Sequence, residues 1–270
     1  MSESSSIENY FFAVAAALFL LLLLIERWRP HTRHPSSRLK KSFSTNTMAF
    51  TFNSIVMNLL SVSSLLVVAE NYSHHGLLSG MSDGLLKWII SFICFDFAVY
   101  AWHYFGHKSQ FLWRLHKVHH SDKSFHVTTG LRFHVFDQLL EVIFKCICTI
   151  VIGVPAKIVF LCEIVRMLFV LFHHANATFP GEKWLSYIFI TPSLHRVHHS
   201  ALRAEHDSNY GIVLAVWDLI FRTRKELVPE KIGLELIEAE DFFQLFALAF
   251  LTERRLARVL HLLPRRRKRF

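Results

Sequence analysis

Long apolar blocks constrain this chain more than any other feature. The first runs from Tyr10 to Ile25 without a charge. The second covers about Met48 to Ala69, the third about Leu85 to Trp102, and the fourth Leu139 to Phe172. A helix needs roughly 20 apolar residues to cross a bilayer, and backbone groups in lipid must be satisfied within a helix or a closed barrel. In a chain of 270 residues that is 52% hydrophobic, with 26 Phe, these blocks predict an all-α integral membrane helical bundle. Gly153-Val154-Pro155 interrupts the fourth block and should break a helix there. The expectation is about four spans, or three plus a re-entrant hairpin. The final apolar patch, Phe242 to Leu251, is too short to span and is expected to lie on the membrane interface.

The loops set an orientation. The stretch after the first block, ERWRPHTRHPSSRLKK, is rich in Lys and Arg. The stretch after the second, ENYSHHGLLSGMSDG, has neither. Lys108, Arg114, Lys117, Lys123 and Arg132 follow the third, and the chain ends LLPRRRKRF. The positive-inside rule then puts the N-terminus outside and the loops after the first and third blocks in the cytoplasm. The acidic, Ser-rich start before the first block is unlike a signal peptide, so that block is read as a retained span. The formal charge of +9 is accounted for by these flanks, and no nucleic-acid partner is expected. Cys94, Cys146, Cys148 and Cys162 lie inside apolar blocks with no CxxC pair, which argues against both disulfides and a thiolate metal site.

The chemistry is carried by histidine, of which there are 18. Residues 116–120 read HKVHH and residues 195–199 read HRVHH. Residues three and four apart share a helix face. His103 with His107, His116 with His119 and His120, and His195 with His198 and His199 should therefore present sets of imidazoles at the cytoplasmic end of the bundle. Burying such sets beside a membrane without partners is costly, and metal ions resolve that cost. Eight imidazoles exceed one tetrahedral zinc site and suit two ions. Imidazole accepts Fe, Zn, Cu or Ni, so the ligand type leaves the metal open. No ExxH carboxylate pair and no CxxCH haem motif occurs. His31, His34, His74, His75 and His261 stand apart and are expected to be ordinary core or surface residues.

The order HxxxH (103–107), HxxHH (116–120), HxxHH (195–199) resembles the fatty acid hydroxylase/sterol desaturase superfamily. So does its context: LWRLHKVHHSD at 112–122, TPSLHRVHHS at 191–200 and DSNYG at 207–211. The resemblance covers about residues 90–223. It implies a cytoplasmic helical cap holding two iron ions, with zinc able to replace them on purification. It also adds His174, as HxN with Asn176, to the ligand set, with His134, His173 and His206 as second-tier candidates. Where the family often has RxHPxE, this chain has RFHVFD at 132–137, with Val135 and Asp137 in place of Pro and Glu. Asp96, an intramembrane carboxylate, is expected to support the site or the helix packing. Trp102, Phe105, Phe111, Trp113 and Phe133 are candidates to line a substrate groove, with packing the commoner role for most of them.

What the resemblance implies is a membrane-bound non-haem di-iron oxygenase that uses O2 to hydroxylate or desaturate a sterol, fatty acyl or ether lipid. Its electrons would come from a separate ferredoxin, small haem protein, reductase or tetrahydropterin. The expected division is a transmembrane region and basic loop at 1–89, a di-metal catalytic domain at 90–223, and an interfacial helix with a basic tail at 224–270. The expected location is a bacterial inner membrane, or otherwise the endoplasmic reticulum. A non-catalytic metal-binding membrane protein and a metal transporter are the alternatives. A transporter would carry its ligands at the midplane, and a zinc hydrolase would need a general-base Glu, for which no HExxH exists. The oligomeric state and the identity of the lipid are open at this level.

Overall fold

The computed structural model describes residues 3–60 and 64–260, and over these it is helical with no strand. The helices are α1 (Glu3–Trp28), α2 (Ser36–Leu59), α3 (Ser64–Tyr72), α4 (Leu85–Lys108), α5 (Gln110–His116), α6 (Val135–Ile152), α7 (Ala156–His173), α8 (Glu182–Leu185), α9 (Pro192–His198), α10 (Arg203–His206), α11 (Val216–Ile220), α12 (Phe242–Leu248) and α13 (Glu253–Val259). Short 3-10 turns cover Ser73–His75, His119–Ser121 and Val127–Leu131. His261 and the basic tail lie outside the described residues.

Among the described residues, α4 is the one helix long and apolar enough to cross a membrane by itself. Its 24 residues reach about 36 Å. The block at Met48–Ala69 does not form one continuous span. α2 starts in the basic stretch at Ser36 and ends at Leu59, and α3 begins separately at Ser64. α2 also carries a polar buried face, with Ser42, Thr45, Asn46 and Asn53. Those side chains seek polar partners rather than lipid, and Asn53 donates to the Phe133 carbonyl at 2.9 Å.

The fourth block is a helical hairpin. α6 and α7 have 18 residues each, about 27 Å. Gly153 ends α6 in the left-handed region at φ 81°, where glycine is unstrained, and Pro155 caps α7. The turn before α4 is tied to this tip. Leu77 and Leu78 donate their backbone N–H to the carbonyls of Val151 and Ile152 at 2.9 and 2.8 Å, satisfying the open end of α6. The hairpin tip therefore sits level with the α3–α4 connection, and the histidines lie at the opposite ends of α4, α6 and α7. α3 and α4 each pack against both α6 and α7, and α1 lies along α7.

A methyl group on Gly76 would stand 2.1 Å from the Gly153 nitrogen. Gly76→Ala should therefore force the two backbones apart and lower stability by about 1–3 kcal/mol. Thermal denaturation in detergent checks this, and an unchanged midpoint would contradict the close approach.

The C-terminal patch is only partly a surface feature. Leu245 and Leu248 of α12 are buried in a core with Leu115, Val118, Ile237 and Leu256, while Phe243 and Phe250 are exposed. The expected interfacial helix is thus half core, because the segment before it is bound to the histidine region. Gly233 N donates to His199 O at 2.9 Å, and Arg132 donates to Ala239 O at 2.6 Å. No disulfide joins any of the four cysteines.

Candidate metal centre

Helices converging at one end bring nine histidines together in two buried groups. The first is His103, His107, His116, His120 and His198, and the second is His119, His174, His195 and His199. Within each group, one nitrogen per ring lies within 4.8 Å of all the others. α4 supplies His103 and His107, while α5 and the turn after it supply His116, His119 and His120. His174 caps α7, and α9 with its C-cap supplies His195, His198 and His199.

Each HxxHH box serves both groups. A helix turns by about 100° per residue, so positions i+3 and i+4 fall on either side of position i. His116 and His120 go to the first group and His119 to the second. His195 and His199 go to the second and His198 to the first. The last turn of α9, and the end of α5 with the 3-10 turn after it, thus fan their imidazoles around two centres, instead of aiming all of them one way as the spacing alone suggested.

The outer nitrogens are fixed by the protein. His103 Nδ1 donates to Tyr210 O and His198 Nδ1 to Ser208 O, both at 2.7 Å. His116 Nδ1 donates to Asp137 Oδ2 at 3.0 Å. His119 Nδ1 donates to Arg132 O at 3.3 Å and His174 Nδ1 to Val170 O at 2.7 Å. A proton on Nδ1 leaves the Nε2 lone pair pointing inward. His119 Nε2 and His174 Nε2 then face each other at 3.1 Å as two acceptors, which repel unless a cation lies between them. His195 Nε2 to His174 Nε2 is 3.0 Å, and His199 Nε2 to His119 Nε2 is 3.1 Å. Two imidazole nitrogens bound to one ion at ~2.0–2.1 Å stand about 3 Å apart. In the first group the Nε2 atoms of His107, His116, His120 and His198 are buried with no hydrogen-bond partner. Orphaned buried nitrogens and facing lone pairs are satisfied by cations placed between them, so these residues fit metal binding.

Burial pushes His119, His120, His195, His198 and His199 well below the ordinary 6.5, and neighbouring imidazoles push each of them further down. In the unfolded chain the same groups titrate near 6.5. Below that pH the unfolded state binds more protons, so stability falls with falling pH. The metal-free chain should lose stability between pH 7.5 and 5.5, by about 1.4 kcal/mol over that whole interval for each imidazole that stays neutral, and its melting midpoint should fall accordingly. A pH-independent midpoint would contradict this burial.

The loop at Ser208–Gly211 is itself held by Asp218, whose carboxylate accepts from Tyr210 N and Gly211 N at 2.8 Å each. Asp137 touches His116 directly. Such partners orient metal ligands and raise their basicity. Asp137→Ala should lower metal affinity roughly 10–100-fold. Competition against a chelator measures it, and wild-type affinity would show that the contact is incidental. The RFHVFD segment gave a signal for Asp137, a carboxylate one turn from Glu141. Asp218 had none, because its partners are remote in sequence.

The second-tier histidines fall outside these two groups. His134 caps α6, accepting from Phe136 N at 3.2 Å, and packs on Phe246. His173 lies against His195 with ring centroids 3.9 Å apart but belongs to neither group. His206 donates to Ser200 O at 2.9 Å, stacks on Trp113, and comes near His107 and Asp207. Asp96 accepts from Trp217 Nε1 at 2.7 Å, a packing contact. Trp102 and Phe133 line a cavity beside the histidines, whereas Phe105 and Phe111 are exposed.

Comparison with known proteins agrees with this geometry. The chain is 33% identical over 135 residues to ornithine lipid hydroxylase OlsE of Rhizobium tropici, covering 50% of this chain and 40% of that protein. It is 30% identical over 170 residues to alkylglycerol monooxygenase of Homo sapiens, covering 63% and 37%. With the Caenorhabditis elegans alkylglycerol monooxygenase it shares 32% identity over 141 residues, covering 52% and 27%. The chain thus spans about two fifths or less of the length of these relatives. No solved structure matches it significantly. The family model described as fatty acid hydroxylase matches residues 88–223, half of the chain and the segment that holds all nine converging histidines, and so this chain belongs to the fatty acid hydroxylase family.

Proposed function

We propose that the chain is a membrane-bound non-haem di-iron oxygenase that hydroxylates a lipid. The observation that carries this reading is the pair of buried imidazole groups, five and four strong, with inward-facing nitrogens that lack partners. The relatives are named as a lipid hydroxylase and as monooxygenases, which favours hydroxylation over desaturation. His103, His107, His116, His120 and His198 are assigned to one iron, and His119, His174, His195 and His199 to the other. Two ferrous ions there would supply O2 reduction and C–H oxidation. The overall balance is one lipid C–H, O2, two electrons and two protons giving one alcohol and one water. The electrons come from a separate donor protein or a tetrahydropterin.

The chain's own residues fix and dry the site. Carbonyls at Tyr210, Ser208, Arg132 and Val170, with the Asp137 carboxylate, hold five rings by Nδ1. Burial of the nine rings keeps bulk water away, which strengthens local electrostatics. Val99, Trp102, Phe133, Val170 and Ile212 form the apolar wall of the adjoining cavity, where a lipid can enter from between helices.

In this reading the hairpin crosses the bilayer rather than dipping into it, because its tip is level with the α3–α4 turn. The N-terminus is outside, and the histidine end and C-terminus are cytoplasmic, as the basic loops favour. Residues 90–223 form the catalytic unit, with 1–89 as its membrane frame and 224–270 as its flank. A bacterial inner membrane suits this arrangement. The test is incubation of iron-loaded protein with a lipid extract, a reductant and 18O2. One 18O atom in a lipid product supports the proposal. Two bound irons with no labelled lipid would favour a non-catalytic metal protein.

A further inference from the structure

The hairpin beside the centre carries charges that the histidine chemistry does not use. On α6, Asp137, Glu141 and Lys145 are spaced i, i+4, i+8 and form one stripe. On α7, Glu163 and Arg166 face it. Lys145 Nζ bonds Glu163 at 2.8 Å and approaches Glu141 at 3.4 Å. Arg166 bonds Glu163 at 3.0 Å and approaches Glu141 at 3.6 Å. The Lys145–Glu163 pair is the shorter of the two ion pairs across the hairpin, and the Lys145 side chain is sealed at 2% exposure. Glu141 and Arg166 are more open, at 16% and 26%, and both line the cavity that also contacts His116, His119, His174 and His195.

That cavity is poorly suited to a bare hydrocarbon. Arg166 Nε and Glu141 Oε1 are buried without a hydrogen-bond partner. So are both ring nitrogens of His173, which is 0% exposed and lines the same cavity. Glu141 Oε1 is reached only by the longer ion pairs to Lys145 and Arg166, and an alkyl chain would offer a hydrogen bond to none of these groups. Within the hairpin the charges of Lys145 and Arg166 balance those of Glu141 and Glu163, so this network by itself asks for no net charge in an occupant. The space, about 40 Å3, admits roughly three water-sized groups. Glu141 lies about 6 Å along α6 from Asp137, and Arg166 about 10 Å along α7 from His173.

We propose that this cavity is a headgroup subsite, taking a compact, net-neutral lipid head that both donates and accepts hydrogen bonds. The carbon presented to the histidine centre then lies within roughly 10 Å of that head, not far down an acyl chain. This deepens the oxygenase reading and rests on it for the word substrate. Arg166 and Glu141 are the specificity-determining pair. Pockets of this kind use a few placed polar groups to fix the orientation of an otherwise apolar ligand.

Binding tests the subsite without turnover. Zinc-loaded full-length protein in detergent is titrated with four probes by displacement of a fluorescent hydrocarbon: 1-O-hexadecylglycerol, lysophosphatidylethanolamine, palmitate and octadecane. One or both of the first two should bind at least roughly tenfold tighter than the last two. The stronger of them tells whether hydroxyls or a zwitterion supply the head. Glu141→Gln combined with Arg166→Gln removes both charges, keeps neutrality and leaves Lys145–Glu163 intact, and it should erase the preference at unchanged zinc content. Should that double variant not load zinc, Arg166→Lys carries the comparison and should weaken the preference several-fold. No preference in the wild type, or an undiminished one in the zinc-loaded variant, overturns the subsite. A clear preference with no 18O product from the iron-loaded wild type leaves the subsite standing and overturns the oxygenase reading instead.

Discussion

His198→Ala should lower bound iron from two per chain to about one, and reduce lipid hydroxylation more than ~100-fold. The estimate follows because loss of a partner behind a ligand already costs 10–100-fold, and His198 would be a ligand itself. His119→Ala should do the same from the other side, since it belongs to the second group. His75→Ala is the control, because that residue is exposed in the turn before α4 and distant from both groups in the fold. Elemental analysis and product counting on the three variants check all of this. Full iron and full activity in His198→Ala would remove His198 from the site.

Arg132→Met should destabilise the protein by about 3–5 kcal/mol. Arg132 is 1% exposed. It donates to Ser121 Oγ at 3.0 Å, Asn46 Oδ1 at 2.9 Å and Ala239 O at 2.6 Å. Its charge compensates Asp122, which also accepts from Ser42, Asn46 and Thr129 at 2.7, 3.0 and 2.8 Å. Burial pushes the Asp122 carboxyl up, but Arg132, His126 and the hydroxyls outweigh it and hold the group below the ordinary carboxylate range. Its stabilising contribution is therefore present at neutral pH and lost only in strong acid. Removing Arg132 strands that charge between α2 and the second histidine box. Thermal or denaturant melts measure the loss. Arg132→Met combined with Asp122→Asn should cost less than the sum of the two single changes, and strict additivity would mean that the pair does not interact.

The sequence was most informative where the signal was local. The HxxxH and HxxHH spacings pointed to eight of the nine converging histidines, and the family resemblance supplied His174. Their division between two groups was hidden, because it depends on how α4, α5, α7 and α9 rotate against one another. His134 followed the family pattern yet caps a helix, since Val135 starts α6 directly after it. The partners behind the rings come from far along the chain, as with His103 and Tyr210, and no periodicity announces them. Hydropathy did not show that Met48–Ala69 is divided between α2 and α3, nor that buried Asn46 and Asn53 fasten α2 to the histidine region. It also undervalued α12, whose Leu245 and Leu248 serve the core beneath the second box. Glu141, Lys145, Glu163 and Arg166 were visible only as charges in an apolar block. Their meeting across the hairpin needed the turn at Gly153.

The central claim is that the two histidine groups hold two irons, and an anaerobic ferrous titration of the metal-free, full-length protein tests it most directly. The account expects saturation at two ions per chain, with both equivalents lost only when each group is disrupted. Saturation at one ion, or no binding at all, would contradict it and return the histidines to a structural role.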